Sequence, residues 1–190
     1  MNSNGTLEDF VTRFPLILPV VKKLNEANLT WMIGGSSCLF LLGNKRVPDD
    51  VDIYLLDDEH DAADHLFGIE SYIFSSRLES VRNSNPEGEH SIQLTSHLEF
   101  NLDRKYKFSI TPLVIDKRIE VQFEGNSLYL LSPEDALLVK ALLQRGPEVG
   151  KKDIEDIQNF MALYQIDRAY LSERIGELGA EKRVGTIFQF

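Results

Sequence analysis

Residues 29–56 read LTWMIGGSSCLFLLGNKRVPDDVDIYLL, and this stretch decides the fold. Leu29 through Ile33 is a short apolar run stopped by Gly34 and Gly35, the pattern of a buried strand that must turn sharply. Ser36 then precedes an apolar run, Cys38 to Leu42, which predicts Ser36 as the N-cap of a short helix. Gly43-Asn44 ends that helix. A second strand is predicted through Asp49-Asp50-Val51-Asp52-Ile53-Tyr54-Leu55-Leu56. Strand side chains alternate between faces, so Val51, Ile53 and Leu55 point to the core and Asp50, Asp52 and Tyr54 point the other way. Two carboxylates one pleat apart repel each other unless a cation lies between them. Hard oxygen donors suit Mg²⁺ (or Mn²⁺), which in turn keeps waters and binds phosphates. The turn at Gly34, Gly35 and Ser36, at a helix N-terminus, offers backbone N–H groups to a phosphate. Asp49-Asp50 after Pro48 also fits an ordinary solvated turn, but that reading does not account for Asp52 inside an apolar strand.

Composition sets the limits. The chain has 190 residues, 43% of them hydrophobic, enough for one substantial core. Its 30 acidic against 20 basic residues give a net charge of −10. That argues against sequence-independent binding of duplex nucleic acid, which relies on Lys and Arg at phosphates. The single cysteine, Cys38, excludes an intramolecular disulfide and a cysteine-cluster metal site, and reads as a small buried hydrophobe. The first residues lack a basic segment followed by an apolar one, and no apolar run approaches the ~18 residues a membrane span needs. A cytoplasmic protein without a membrane partner is the expectation.

Outward from the central stretch, residues 7–28 show helical periodicity interrupted by Pro15 and Pro19, which predicts two short helices. Residues 57–67 read as a helix, with surface positions for His60 and His65, and 69–74 as a short strand. Residues 75–89 are polar and hold Asn83-Ser84-Asn85-Pro86, which reads as a loop. Strands are predicted over 90–95, 97–102, 105–113, 118–123 and 128–131, the last two forming a hairpin around Gly125-Asn126. Ser132-Pro133-Glu134-Asp135 opens a helix running to about Arg145, broken by Gly146-Pro147. Helices over 151–164 and 167–177 follow, then an apolar tail at 186–190. The expected fold class is α+β: a mixed sheet carrying Asp50 and Asp52, with N-terminal helices, over residues 1–131. A helical region, 132–190, packs on it and closes a cleft.

The sequence Gly34-Gly35-Ser36, a short helix, then Asp50-Val51-Asp52 resembles the signature of the DNA-polymerase-β-like nucleotidyltransferase superfamily, and most of all its small AbiEii-toxin-like and minimal members. Ser132-Pro133-Glu134-Asp135, Lys140 and Lys152-Asp153-Ile154-Glu155-Asp156 extend the resemblance, which spans about residues 29–156. It implies a nucleotidyltransferase-like sheet and transfer of a nucleoside monophosphate from a triphosphate such as ATP to an acceptor hydroxyl or phosphate. Asp50 and Asp52 would hold the metal, Gly34, Gly35 and Ser36 the phosphates, and Lys140 would reach a phosphate as well. The acceptor (RNA, protein or small molecule), a homodimer and a protein partner stay open. The resemblance also implies a third catalytic carboxylate on a later strand. Glu99 and Glu120 both have the right strand parity, and Glu99 is preferred. On another register Ser109 stands in that place and the carboxylate is absent. The alternative reading is then a catalytically impaired nucleotide-binding or toxin–antitoxin-type interaction protein on the same fold.

Overall fold

At the centre lies a strand of only three residues, Trp31–Ile33, all of them buried. The computed structural model describes residues 3–67, 79–85, 88–96 and 98–189. In chain order the first elements are α1 (Ser3–Arg13), α2 (Ile17–Glu26), β1 (Trp31–Ile33), α3 (Gly35–Leu41), β2 (Asp50–Leu55) and α4 (His60–Phe67). Then come β3 (Glu79–Asn85), β4 (Gly88–Thr95), β5 (Leu98–Asn101), β6 (Lys105–Phe108), α5 (Pro112–Lys117), β7 (Ile119–Phe123) and β8 (Asn126–Leu130). Four helices complete the chain: α6 (Pro133–Leu143), α7 (Asp153–Met161), α8 (Arg168–Leu178) and α9 (Glu181–Phe188). Among the described residues one mixed sheet runs β3-β4-β2-β1-β8-β7, and β5 and β6 form a separate hairpin. β1 pairs antiparallel with β2 and parallel with β8, and β2 pairs parallel with β4. The architecture is α+β, as expected.

Several local expectations change. Much of the polar segment read as a loop is strand: β3 pairs antiparallel with β4 from Glu79↔Leu94 to Asn85↔Gly88. An edge strand needs no apolar face pattern to form its ladder, so period-2 alternation gave no signal. The strand expected over 105–113 ends at Phe108, because Thr111 caps a short helix whose first residue is Pro112. The hairpin turn centres on Glu124 and Gly125, with φ of +47° and +76°, rather than on Gly125-Asn126; Asn126 already belongs to β8. The apolar tail lies largely in α9. The strand expected at 69–74 falls outside the described residues.

Helix α6 is buried on every side: all ten residues from Pro133 to Leu142 lie in the interior. It packs against α3, α7, α8 and α9. Ser132 starts it as read, its Oγ accepting the Asp135 N–H at 3.0 Å. Three charged side chains sit on this buried helix, and each has a partner. The Glu134 carboxylate accepts the Asp167 N–H at 2.7 Å. Asp135 receives the Arg174 guanidinium at 2.8 Å and the Tyr170 hydroxyl. Lys140 pairs with Asp153 and Asp156 on α7. No described helix is long and apolar enough to cross a membrane.

Asp135→Ala removes the buried carboxylate from the Arg174 guanidinium, whose side chain is only 2% exposed, and leaves it to Glu177 and the Ser109 carbonyl. It should cost about 3–5 kcal/mol of stability in urea unfolding. Lys22→Ala, at an exposed pair with Glu26, should cost less than about 0.5 kcal/mol. A small effect at Asp135 would show that Glu177 suffices to hold the cation.

Candidate functional site

The turn between β1 and α3 is pressed against β2. The Gly34 N–H donates to the Asp52 carbonyl at 2.8 Å. A Cβ on Gly34 would overlap the Tyr54 ring, and a Cβ on Gly35 would overlap Asp52 Oδ2. Gly35 also has φ of +57°, which disfavours any other residue. Both glycines are therefore required by close approach to β2. Gly34, not Ser36, is the N-cap residue, and Ser36 is the second residue of α3. Ser37, which the sequence reading passed over, donates its Oγ–H to the Asp50 carbonyl at 2.7 Å and ties α3 to β2.

Asp50, Asp52 and Tyr54 face a cavity of about 410 Å³, as the alternation predicts. Gly35, Ser36, Glu99, Lys140, Arg145 and Lys151 also line it. In the parallel ladder Asp52 stands opposite Gln93, and Tyr54 opposite Thr95; Gln93 and Thr95 line the cavity too. Thr95 Oγ1 is buried there without a hydrogen-bond partner among the described residues. Burial, and then the charge of Asp50, push the Asp52 carboxyl from its ordinary 3.8 up to about 6, against the opposing pull of Lys151, Arg145 and Lys140. Lys151 Nζ lies 3.8 Å from Asp50 Oδ2. Burial, then Asp52, holds the Tyr54 phenol well above its ordinary value, so it stays neutral. This half-buried pair of hard oxygen donors, under mutual repulsion, fits a divalent cation such as Mg²⁺.

The remaining residues singled out in the sequence have varied positions. Lys140 is buried, with Nζ at 2.9 Å from Asp156 Oδ2, 3.2 Å from Asp153 Oδ1 and 3.2 Å from Ser36 Oγ. Arg46 shares Asp156 at 2.9 Å, and Arg145 shares Asp153 at 2.9 Å. Burial opposes ionisation of Asp153, yet the Arg145 hydrogen bond and the nearby Lys140 hold it below the usual carboxylate range. Lys140 thus fixes Ser36 against α6 and α7. Glu99, on β5, lines the cavity and is bridged to Lys105 at 2.6 Å. Glu120 lies on β7, three strands from β2, and accepts a hydrogen bond from Gln122. Ser109 follows β6, and its carbonyl accepts from Arg174. Sequence reasoning missed Gln93, Thr95, Arg145 and Lys151 as site residues. Only the parity of the 90–95 strand carried a signal for the first two.

Because the Asp52 carboxyl binds its proton more tightly in the folded state, it subtracts stability as pH rises from about 4 through 6. In metal-free buffer, Asp52→Asn should be more stable than the wild type above pH 6 by roughly 1–3 kcal/mol. The advantage should vanish near pH 4. Thermal melts across that range check it, and a difference independent of pH would contradict the assigned burial. Gly35→Ala should displace Asp52 and abolish any metal-induced rise in Tm.

No curated protein matches the chain by sequence. Among solved structures it is similar to TM1012, a candidate nucleotidyltransferase from Thermotoga maritima, with a TM-score of 0.53 and 14% identity over 80% of this chain and 94% of that one. It is also similar to the antibiotic-resistance factor ANT(2″)-Ia, with a TM-score of 0.52 and 17% identity over 91% and 92%. JHP933 from Helicobacter pylori gives 0.53 and 15% identity over 96% and 79%. At these identities the likeness establishes the fold. A family model covers residues 14–184, and the chain belongs to the family described as nucleotidyl transferase of unknown function (DUF2204).

Proposed function

We propose that the protein binds a nucleoside triphosphate, ATP foremost, together with Mg²⁺ (or Mn²⁺), and transfers the nucleotidyl group to an acceptor hydroxyl or phosphate. The observation that carries this is the same-face pair Asp50 and Asp52 set against the Gly35–Ser36 turn, in one cavity with Lys140, Arg145 and Lys151. ANT(2″)-Ia was solved in complex with adenylyl-2″-tobramycin, which supports ATP as donor and a small-molecule acceptor. A cytoplasmic setting, where Mg²⁺-loaded triphosphates abound, agrees with this chemistry.

Asp50 and Asp52 would hold the cation, which when bound supplies positive charge to the phosphates. Gly34 and Gly35 allow the chain to approach the phosphates without a side chain, and the first amides of α3, at Gly35 and Ser36, donate to phosphate oxygens. Lys151 and Arg145 add cationic charge beside the departing pyrophosphate. The acceptor oxygen attacks the α-phosphorus, its bond forms as the bond to the bridging oxygen breaks, and pyrophosphate leaves. Glu99 is the base we assign to a hydroxyl acceptor's proton. Thr95 and Gln93 hydrogen-bond the acceptor at the same end of the cavity.

One observation favours a second reading, of a nucleotide-binding protein that does not catalyse transfer, or a toxin–antitoxin-type partner. The residue beside Asp52 on β4 is an amide, not a carboxylate.

Calorimetric titration of each nucleoside triphosphate tests the proposal. Wild type should bind one of them only with Mg²⁺, and Asp52→Asn should lose at least about tenfold in affinity, ~1.4 kcal/mol. Equal binding by wild type and variant, or binding indifferent to Mg²⁺, would refute it.

A further inference from the structure

We infer that Gln93 limits the site to a single divalent cation. The inference rests on the metal-and-nucleotide reading above and adds to it the number of ions and the residue that sets it.

The geometry leaves few sources of negative charge. Asp50 and Asp52 lie on one face of β2, and β4 is the strand beside them. In that parallel ladder Gln93 is the direct neighbour of Asp52, about 4.8 Å away across the pair, with its side chain on the same cavity face. A carboxylate at this position would extend the acidic pair sideways and make a third ligand. The amide has an oxygen but no charge. On the other flank of β2 the chain turns through Gly34 and Gly35, which have no side chains to offer. Glu99 lines the cavity from β5, but its carboxylate is bridged to Lys105 at 2.6 Å. Among the described residues no group of three or more His, Cys, Asp or Glu side chains converges to hold an ion.

Ligand supply then decides the count. Two carboxylates hold one dication. Bound triphosphate oxygens supply ligands to the ion it shares with Asp50 and Asp52. They do not supply the protein ligand that a second ion, near the attacking oxygen, would need. The acceptor then meets the Gln93 amide where a second ion would otherwise sit, and is positioned by hydrogen bonds, with Glu99 on β5 as its base.

The test counts ions, not turnover. Mn²⁺ is titrated into the chain, held in excess over α,β-methylene-ATP so that all nucleotide is bound, and free Mn²⁺ is followed by electron paramagnetic resonance. Wild type should bind one Mn²⁺ per bound nucleotide, at least about tenfold more tightly than free nucleotide holds it, and Gln93→Asp and Gln93→Glu should bind two. Asp52→Asn should bind none beyond what the nucleotide alone takes. Two ions in the wild type would overturn the inference. So would a count of one in both Gln93 variants with native circular dichroism. No protein-dependent ion in the wild type would instead defeat the underlying metal-and-nucleotide reading, and the inference with it. If neither Gln93 variant folds, the wild-type count alone still decides between one ion and two.

Discussion

Three segments far apart in sequence meet at one buried ammonium. Lys140, on α6, reaches Ser36 on α3 and two carboxylates, Asp153 and Asp156, on α7. A lone ammonium in this interior would cost several kcal/mol, and Asp153 and Asp156 offset that cost. Arg46 and Arg145 then share the same two carboxylates. Three cations on two anions leave the cluster net positive, and it borders the cavity that holds Asp50 and Asp52. The cationic wall and the acidic strand are thus not independent features. The network that joins the C-terminal helices to the sheet is also the source of the cavity's positive side.

The opposite constraint is steric. β2 carries Tyr54 and Asp52 directly beneath the Gly34–Gly35 turn, so close that neither glycine can hold a side chain. The backbone bond from Gly34 to Asp52 and the Ser37 hydroxyl on Asp50 lock that approach. Electrostatics fixes one wall of the cavity and packing fixes the other. The repulsion between Asp50 and Asp52 is tolerated because a rigid frame surrounds it.

The parts of this arrangement that local physics controls were legible in the sequence. Alternation in Asp50-Val51-Asp52-Ile53 assigned the two faces of β2, and Ser132-Pro133 marked the start of α6. The α+β class followed from such elements. What failed depended on neighbours in space. Ser36 looked like a cap, but the helix is capped two residues earlier, at Gly34, which fits against Tyr54. The 75–89 segment showed no apolar alternation, yet most of it pairs as β3 with β4. For Lys140, read as a phosphate ligand, no local pattern showed the two acidic partners, which lie 13 and 16 residues downstream on another helix. Gln93 was invisible while the search was for carboxylates. Its place beside Asp52 is a matter of register between strands forty residues apart, which no local pattern encodes.

The buried lysine also orders events during synthesis. β1 and β2, with the turn between them, can form once the first third of the chain has emerged. Lys140, however, has no counter-charge until Asp153 and Asp156 have left the ribosome. Until then α6 cannot settle in the interior without stranding an ammonium, and Ser36 lacks the hydrogen bond that fixes it. The acidic half of the cavity is therefore built early and the cationic half late. A nascent or truncated chain would present a pair of repelling carboxylates without the surrounding positive charge, and the site becomes complete only as α6 and α7 dock.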